Sequence, residues 1–371
     1  MSELVQKLLT YPPQRDIVFV LGAGASYPDG VPLQRHILPM ILGNSAINNS
    51  AIGKQAIDFI KDNFAYNSEK NLYPQLEAVF GFLDYFIFQN ENLSSKYSVA
   101  NIRLIKEYLI KSIHYIVNLQ TDKESKVYQK FWRTAFQQTN NFSVMTLNYD
   151  TLLEQAFNIF SGQKAYIDYS IHLMNYNKGA EFSQYNFWIN PREPIFVPQD
   201  INPVPLKILK LHGSLNWKYC SCCNQTLLTP WDREIDLNRG KFTGYTYPDK
   251  QKYDFTCPND GTDFETLIIM PSYVKPLNQP IISQLMGEAA REIRAAKKIV
   301  FIGYSLSNAD LHIRALFKKQ INEQTKIIVV NTRETEEFKL KYYSISENVE
   351  FIYSSFENLL LSKELTKKVF E

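Results

Sequence analysis

Gly22, Gly24 and Ser26 close the run Asp16-Ile-Val-Phe-Val-Leu-Gly22-Ala23-Gly24-Ala-Ser26, an apolar stretch that ends in a Gly-x-Gly-x-Ser turn. Glycine permits positive φ and puts no side chain where a ligand sits, so such a turn lets backbone N–H groups approach a pyrophosphate. On this reading a side chain at Gly24 takes the space the phosphates need. The third glycine of the dehydrogenase fingerprint is missing, because the chain continues Tyr27-Pro28-Asp29-Gly30-Val31-Pro32. That argues against ordinary hydride transfer. The structural alternative is a plain turn after a strand.

Four more groups follow apolar runs: Thr146-Leu147-Asn148-Tyr149-Asp150, Lys210-Leu-His212-Gly213-Ser214, Gly303-Tyr-Ser305 and Val330-Asn331. An imidazole titrating near neutrality suits proton transfer. Each group also has a structural reading. His212 before a glycine can cap a turn, and Asn148 and Asp150 can cap a helix from Thr151 to Phe160. Ser305 and Asn308 can begin the next helix, with Asp310 in its first turn. His36, His114, His172 and His312 stand in no such motif and read as structural. Cys220 and Cys223 form a Cys-x-x-Cys, with Cys257-Pro-Asn-Asp260-Gly further on. Tetrahedral zinc takes four ligands, so Cys220, Cys223 and Cys257 need either Asp260 or the extra Cys222. The alternative is a degenerate knuckle with free thiols.

The elements that must position these groups are legible from periodicity. Short β-branched runs at Asp16 to Leu21, Phe142 to Leu147, Leu206 to Leu211, Leu267 to Met270, Lys298 to Ile302, Lys326 to Val330 and Val349 to Tyr353 read as buried strands of a parallel sheet. Helical patterns at Pro280 to Lys297, Asn308 to Ile321 and Arg333 to Tyr343 separate the later ones. The expected fold is α/β, a Rossmann-like doubly wound parallel sheet in a single domain over residues 1–371. Two stretches break the alternation. Residues 36–140 read as a large helical insertion, with helices at Gln75 to Phe88 and Ile102 to Asn118. Residues 216–265, rich in Gly, Pro, Asn and Asp, read as a small zinc-ribbon-like module.

With 371 residues and 45% hydrophobic content the chain can bury a full core, and its net charge of +2 carries no footprint for nucleic acid or an anionic membrane. Direct nucleic-acid binding is not expected. Met1 to Pro13 lacks the basic start and apolar core of a signal peptide, and no apolar stretch is long enough to span a bilayer. A cytoplasmic protein is expected, and clustered cysteines fit a reducing compartment. The aromatics crowded between Tyr166 and Phe196 read as packing.

Taken together, the motifs resemble the signatures of the sirtuin-like family. Gly22-Ala-Gly24-Ala-Ser26 with Gly30-Val31-Pro32 and Arg35 is similar to its glycine turn, Gly-Ile-Pro and Arg, and Thr146-Leu-Asn148-Tyr-Asp150 to its Thr-Gln-Asn-Ile-Asp. His212-Gly213 is similar to its catalytic His-Gly, Gly303-Tyr-Ser305 to its Gly-Thr-Ser, and Asn331 to its adenosine-ribose Asn. The resemblance covers roughly residues 15 to 335 and leaves the helical insertion unmatched. It implies NAD⁺ as substrate, with cleavage of the nicotinamide–ribose bond. It also implies His212 as general base, Asn148 positioning ribose and water, and Asp150 ordering the site or stabilising the cationic sugar. Gly22, Ala23, Gly24 and Ser26 would cradle the pyrophosphate, with Arg35 beside them. Gly303, Ser305 and Asn331 would hold the phosphate and adenosine side.

The chain departs from the family's deacylases in three places. Leu33-Gln34 replaces Asp-Phe, whose Phe is thought to shield the reacting sugar, and Leu147 replaces the Gln. Met270 to Pro276 stands where a Phe-Gly-Glu segment pairs with the acyl-lysine peptide. By pattern the chain is most similar to bacterial anti-phage effectors that destroy NAD⁺. That resemblance implies an NAD⁺ glycohydrolase, a homo-oligomer and a separate partner, a ring-forming translocase ATPase of the HerA type. The rival readings are an NAD⁺-dependent protein-lysine deacylase and a non-catalytic NAD⁺ or ADP-ribose sensor, the second opposed by the intact Asn148 and His212.

Overall fold

The computed structural model describes residues 6–121, 123–160, 165–174, 188–189, 196–199, 204–229, 234–245, 249, 251–273, 275, 277 and 279–371. Most of the aromatic stretch from Tyr166 to Phe196 lies outside them, as do residues 274 and 276 of the Met270 to Pro276 segment.

The core strands are β1 (Arg15–Leu21), β2 (Phe142–Thr146), β3 (Ala165–Asp168), β4 (Trp188–Ile189) and β5 (Val204–Lys210). A three-stranded antiparallel sheet comes next, built from β6 (Gly213–Tyr219), β7 (Thr226–Leu228) and β8 (Glu265–Ile268). The chain then returns to the core in β9 (Ala296–Ile302), β10 (Lys326–Asn331) and β11 (Val349–Tyr353). The core sheet has eight strands in the order β11-β10-β9-β1-β2-β5-β3-β4, every pair parallel. The doubly wound α/β expectation is met.

Two details differ. Leu267 does not join the parallel sheet: β8 pairs antiparallel with β6. Its apolar run is short, and periodicity alone does not say which sheet will receive a buried strand. The strands β3 and β4 had no expectation attached to them.

Central parallel strands are covered on both faces, which is why β1 is apolar without alternation. Ile17, Phe19 and Leu21 pack in one cluster, and Val18 and Val20 in the other. The first face is covered by the helix Lys126–Gln138, whose buried Tyr128, Phe131, Trp132 and Ala135 repeat at helical spacing. Phe131 meets Phe19 edge-on at 5.1 Å. The same cluster takes in Ile57 and Phe80 from helices Ala51–Asn63 and Leu76–Gln89, so the residues between β1 and β2 share the core of the sheet. The opposite face carries helices Pro280–Ala295 and Leu311–Gln320, with Ile293 and Phe317 buried. Among the described residues no helix is long and apolar enough to cross a membrane.

The strand order reverses at β1, which lies between β9 and β2. In open parallel sheets the crevice beyond the carboxyl ends of the strands at such a reversal is where ligands bind. The five sequence motifs follow β1, β2, β5, β9 and β10, so the topology brings them to one edge.

Candidate active site

The turn after β1 is built from backbone contacts with the turn after β9. Gly22 N donates to Ile302 O (3.0 Å), Gly24 N to Gly303 O (2.8 Å), and Gly303 N to Val330 O (3.0 Å). A Cβ on Gly24 would lie 2.8 Å from Gly303 Cα, and Gly303 itself holds φ +62°. This corrects the sequence expectation for Gly24: the space its missing side chain frees is taken by protein backbone. The glycines let two strand ends interlock. Ala23 and Gly24 line the crevice; Ser26 is fully buried, its hydroxyl 2.8 Å from Tyr128 OH.

Asn148 follows β2 and is 8% exposed. Its Nδ2 donates to Gly22 O and to Ser26 Oγ, both at 3.0 Å. Both amide hydrogens are therefore spent on the glycine turn, and the Oδ1 end of this crevice-lining side chain accepts nothing among the described residues. The helix-cap alternative does not apply to Asn148. It does apply to Asp150, whose Oδ1 accepts the Leu152 amide (3.2 Å) at the start of helix Leu152–Phe160, while its buried Oδ2 has no hydrogen-bond partner among the described residues. Burial pushes the Asp150 carboxyl up and nearby Lys210 opposes it. Lys210 is wholly buried, donates to Asp150 O (2.5 Å) and pairs with buried Glu154 at 2.8 Å, fixing this loop.

His212 sits between β5 and β6, where the chain leaves the parallel sheet. Gly213 makes that reversal at φ +82°, and a Cβ there would collide with the Leu267 carbonyl. The His212 carbonyl accepts the Ile269 amide at 2.9 Å, so β8 also fixes the residue. Nε2 of His212 is buried, has no hydrogen-bond partner among the described residues and lies 3.6 Å from Asp310 Oδ1. The His312 ring stacks on it at 5.4 Å. Burial pushes the imidazole down to about 3, with Asp310 pulling it up and Lys275 and His312 down. His212 is therefore neutral at physiological pH.

Asp310, Lys275 and His312 carried no expectation of a role at the site. Asp310 stands at the start of helix Leu311–Gln320 but makes no side-chain cap bond. Instead it accepts from Lys275 Nζ (2.5 Å) and Tyr304 OH (2.9 Å). Its short spacing to His312 directly after the Gly303 motif was the one available signal; Lys275 had none. Burial raises the Asp310 carboxyl, but His212, Lys275 and Tyr304 outweigh it and hold it below its ordinary value.

Asn148, Asp150, His212, Gly303, Ser305 and Asn331 line one crevice of about 1060 Å³. Leu33, Gln34 and exposed Arg35 border it, Arg35 bonding to His36 (Nε to Nε2, 3.1 Å). Asn331 spends its amide on Tyr304 O and the Arg333 N–H, both at 3.1 Å. Gly22 and Ser26 stand behind the wall. The segment between β1 and β2 supplies part of the opposite wall through Tyr73, Gln75 and Glu77, which nothing in the sequence motifs announced.

In the cysteine module Cys220, Cys223, Cys257 and Asp260 bring one ligand atom each within 4.8 Å of one another. Cys223 and Cys257 sulfurs are 3.8 Å apart, and Cys220 Sγ is 3.3 Å from Asp260 Oδ2. A tetrahedral ion with bonds of about 2.3 Å to sulfur needs sulfurs roughly 3.8 Å apart, so this donor set fits zinc. Cys222 is exposed and outside it. His212, Asp310 and His312 also converge, but the Lys275 ammonium on Asp310 Oδ1 already neutralises that carboxylate, and we do not assign a metal there.

A family model described as a SIR2-like domain matches residues 143–352, more than half of the chain. No curated protein matches. Solved structures that resemble the chain include a Sir2 homolog–NAD complex, 14% identical, covering 96% of this chain and 90% of that one at a TM-score of 0.41. Another is Sir2Tm bound to a propionylated peptide, 14% identical, covering 96% and 95% at a TM-score of 0.41. The ground for relationship is the family match rather than these overlays.

Proposed function

The chain belongs to the SIR2-like domain family, and from that premise we propose that it hydrolyses NAD⁺ to nicotinamide and ADP-ribose. The observation that carries the reading is Asn148. Its amide nitrogen is locked by the glycine turn, and Oδ1 accepts no hydrogen bond among the described residues, in the crevice that His212 also lines. A fixed acceptor suits a ribose hydroxyl or the attacking water.

In the reaction the bond between the ribose carbon and the nicotinamide nitrogen breaks, its electron pair neutralising the pyridinium. Water bonds to the same carbon, and its proton passes to neutral His212. Asp150, whose Oδ2 has no hydrogen-bond partner among the described residues, would favour the positive charge that develops on the sugar. Ala23, Gly24, Gly303 and Ser305 would hold the phosphates, Asn331 the adenosine side, and Arg35 the rim. Ser26 and Gly22 serve the site through Asn148.

Water as acceptor, in place of an acyl-lysine, is supported by Leu33 and Gln34 at the crevice, where the deacylases carry Asp-Phe. The deacylase remains the second reading because it needs the same Asn and His. Cys220, Cys223, Cys257 and Asp260 would hold a structural zinc ion. The role as a cytoplasmic anti-phage effector, the homo-oligomer and the HerA-type ATPase partner rest on resemblance of pattern.

Purified protein with NAD⁺ should release nicotinamide, and Asn148→Ala and His212→Ala should each lower turnover by roughly two to four orders of magnitude. Full activity of either variant defeats the assignment. Light scattering on the same preparation reads the assembly, and a monomer fully active alone would remove the partner reading.

A further inference from the structure

His212, Asp310, Lys275 and the half-buried His312 form a cluster of which the proposed chemistry uses only His212. The side chains of His212, Asp310 and Lys275 are 7%, 9% and 4% exposed. Two buried acidic or basic groups in contact need good geometry and further hydrogen bonds to be tolerated. Asp310 has both: Lys275 on Oδ1 at 2.5 Å and Tyr304 on Oδ2 at 2.9 Å. What the arrangement leaves unmet among the described residues is Nε2 of His212, a buried nitrogen 3.6 Å from Asp310 Oδ1 with no hydrogen-bond partner there.

We propose that Asp310, held by Lys275 and Tyr304, is the positioning residue of His212, its carboxylate standing ready for the protonated imidazole that forms when water is deprotonated. This rests on the hydrolytic reading above. Protonated histidine is a donor on both nitrogens. Hydrogen bonding with the Leu147 backbone favours the charged ring from one side, and Asp310 faces the other nitrogen. The proton from water is taken by Nε2, and the Asp310 carboxylate 3.6 Å away already favours the charge that forms, without reorganisation.

Lys275 has the opposing effect. Its ammonium disfavours a second positive charge and keeps His212 neutral, hence able to accept a proton, in the resting state. The other groups facing the ring are His312, itself pushed down to about 4 by burial, and the Tyr149 phenol, which Glu77 faces in turn. None of these supplies a negative charge in contact with Nε2 among the described residues.

The signs for the two partners are opposite. Removing Lys275 takes away a repelling cation and leaves Asp310 unpaired beside His212, so the imidazole titrates at higher pH. Removing the Asp310 charge moves it lower. A purely structural role for either residue predicts loss of folded protein and no such pair of shifts.

The test is histidine-selective carbon-13 NMR on the full chain, whose five histidines give a resolvable spectrum, run beside a pH profile of nicotinamide release. In Lys275→Met the His212 titration and the acid limb of kcat should both rise by about one unit or more. Asp310→Asn should keep His212 neutral down to the lowest pH the fold tolerates. Its kcat should fall roughly tenfold to a hundredfold with KM little changed, and Asp310→Glu should restore part of it. An unmoved His212 titration in Lys275→Met, or parental kcat in Asp310→Asn, overturns the proposal. If the parent releases no nicotinamide, the hydrolytic reading fails while the NMR shift still decides whether the cluster controls His212.

Discussion

Asn148 donates both side-chain hydrogens to one turn, and Ser26 Oγ takes one of them while contacting Tyr128 OH at 2.8 Å. Ser26→Ala would leave the Tyr128 hydroxyl, in a side chain only 1% exposed, without its partner. A buried unsatisfied group costs about 1–3 kcal/mol. The variant should melt at lower temperature, and its turnover should fall by roughly tenfold, the equivalent of 1.4 kcal/mol in the barrier. Parental nicotinamide release would mean that Gly22 alone holds Asn148. Residues of this kind were legible in sequence because Asn148 and His212 each stand in a short motif at a strand end. Asp310 and Lys275 were not, since Asp310 meets His212 from far along the chain and Lys275 meets Asp310 from 35 residues away, with no local pattern to mark either contact. Gly24 was read correctly as a position that forbids a side chain, but for a reason that only the packing of Gly303 supplies.

At the scale of elements, apolar runs located β1, β2, β5, β9, β10 and β11 to within two residues at every boundary. They could not tell the parallel sheet from the antiparallel one for β8, because both bury a short β-branched run. The reversal at Gly213 decides that: it turns the chain out of the main sheet, and β8 follows β6. The cysteine module depends on the same stretch. Cys220 directly follows β6, and the turn after Cys257 is closed by Cys257 N donating to Thr262 O and Gly261 N donating to Cys257 O, both at 2.8 Å, which brings Asp260 beside the sulfurs. Elemental analysis should find about one zinc per chain, the stoichiometry of one four-coordinate site. Asp260→Ala should lose most of it, Asp260→Cys should keep it, and Cys222→Ser should change nothing. Zinc-free protein as purified, or loss of zinc on Cys222→Ser, contradicts the proposed donor set.

For the whole molecule, the segment between β1 and β2 is the part least legible in advance. Its helical content followed from periodicity, but its share in the crevice did not. Tyr73, Gln75 and Glu77 reach the wall only because helix Leu76–Gln89 packs into the same core as β1. The crevice they complete is the setting of the central claim, that water accepts the ribose. A deacylase excludes water until the acyl oxygen attacks, whereas a hydrolase has no such requirement. The most direct measurement is mass spectrometry of products formed in oxygen-18 water from NAD⁺ with an excess of acetyl-lysine peptide. We expect ADP-ribose carrying one oxygen-18, nicotinamide released at the same rate with or without peptide, and the peptide returned intact. Nicotinamide release that requires the peptide, with O-acetyl-ADP-ribose and deacetylated peptide as products, would contradict it.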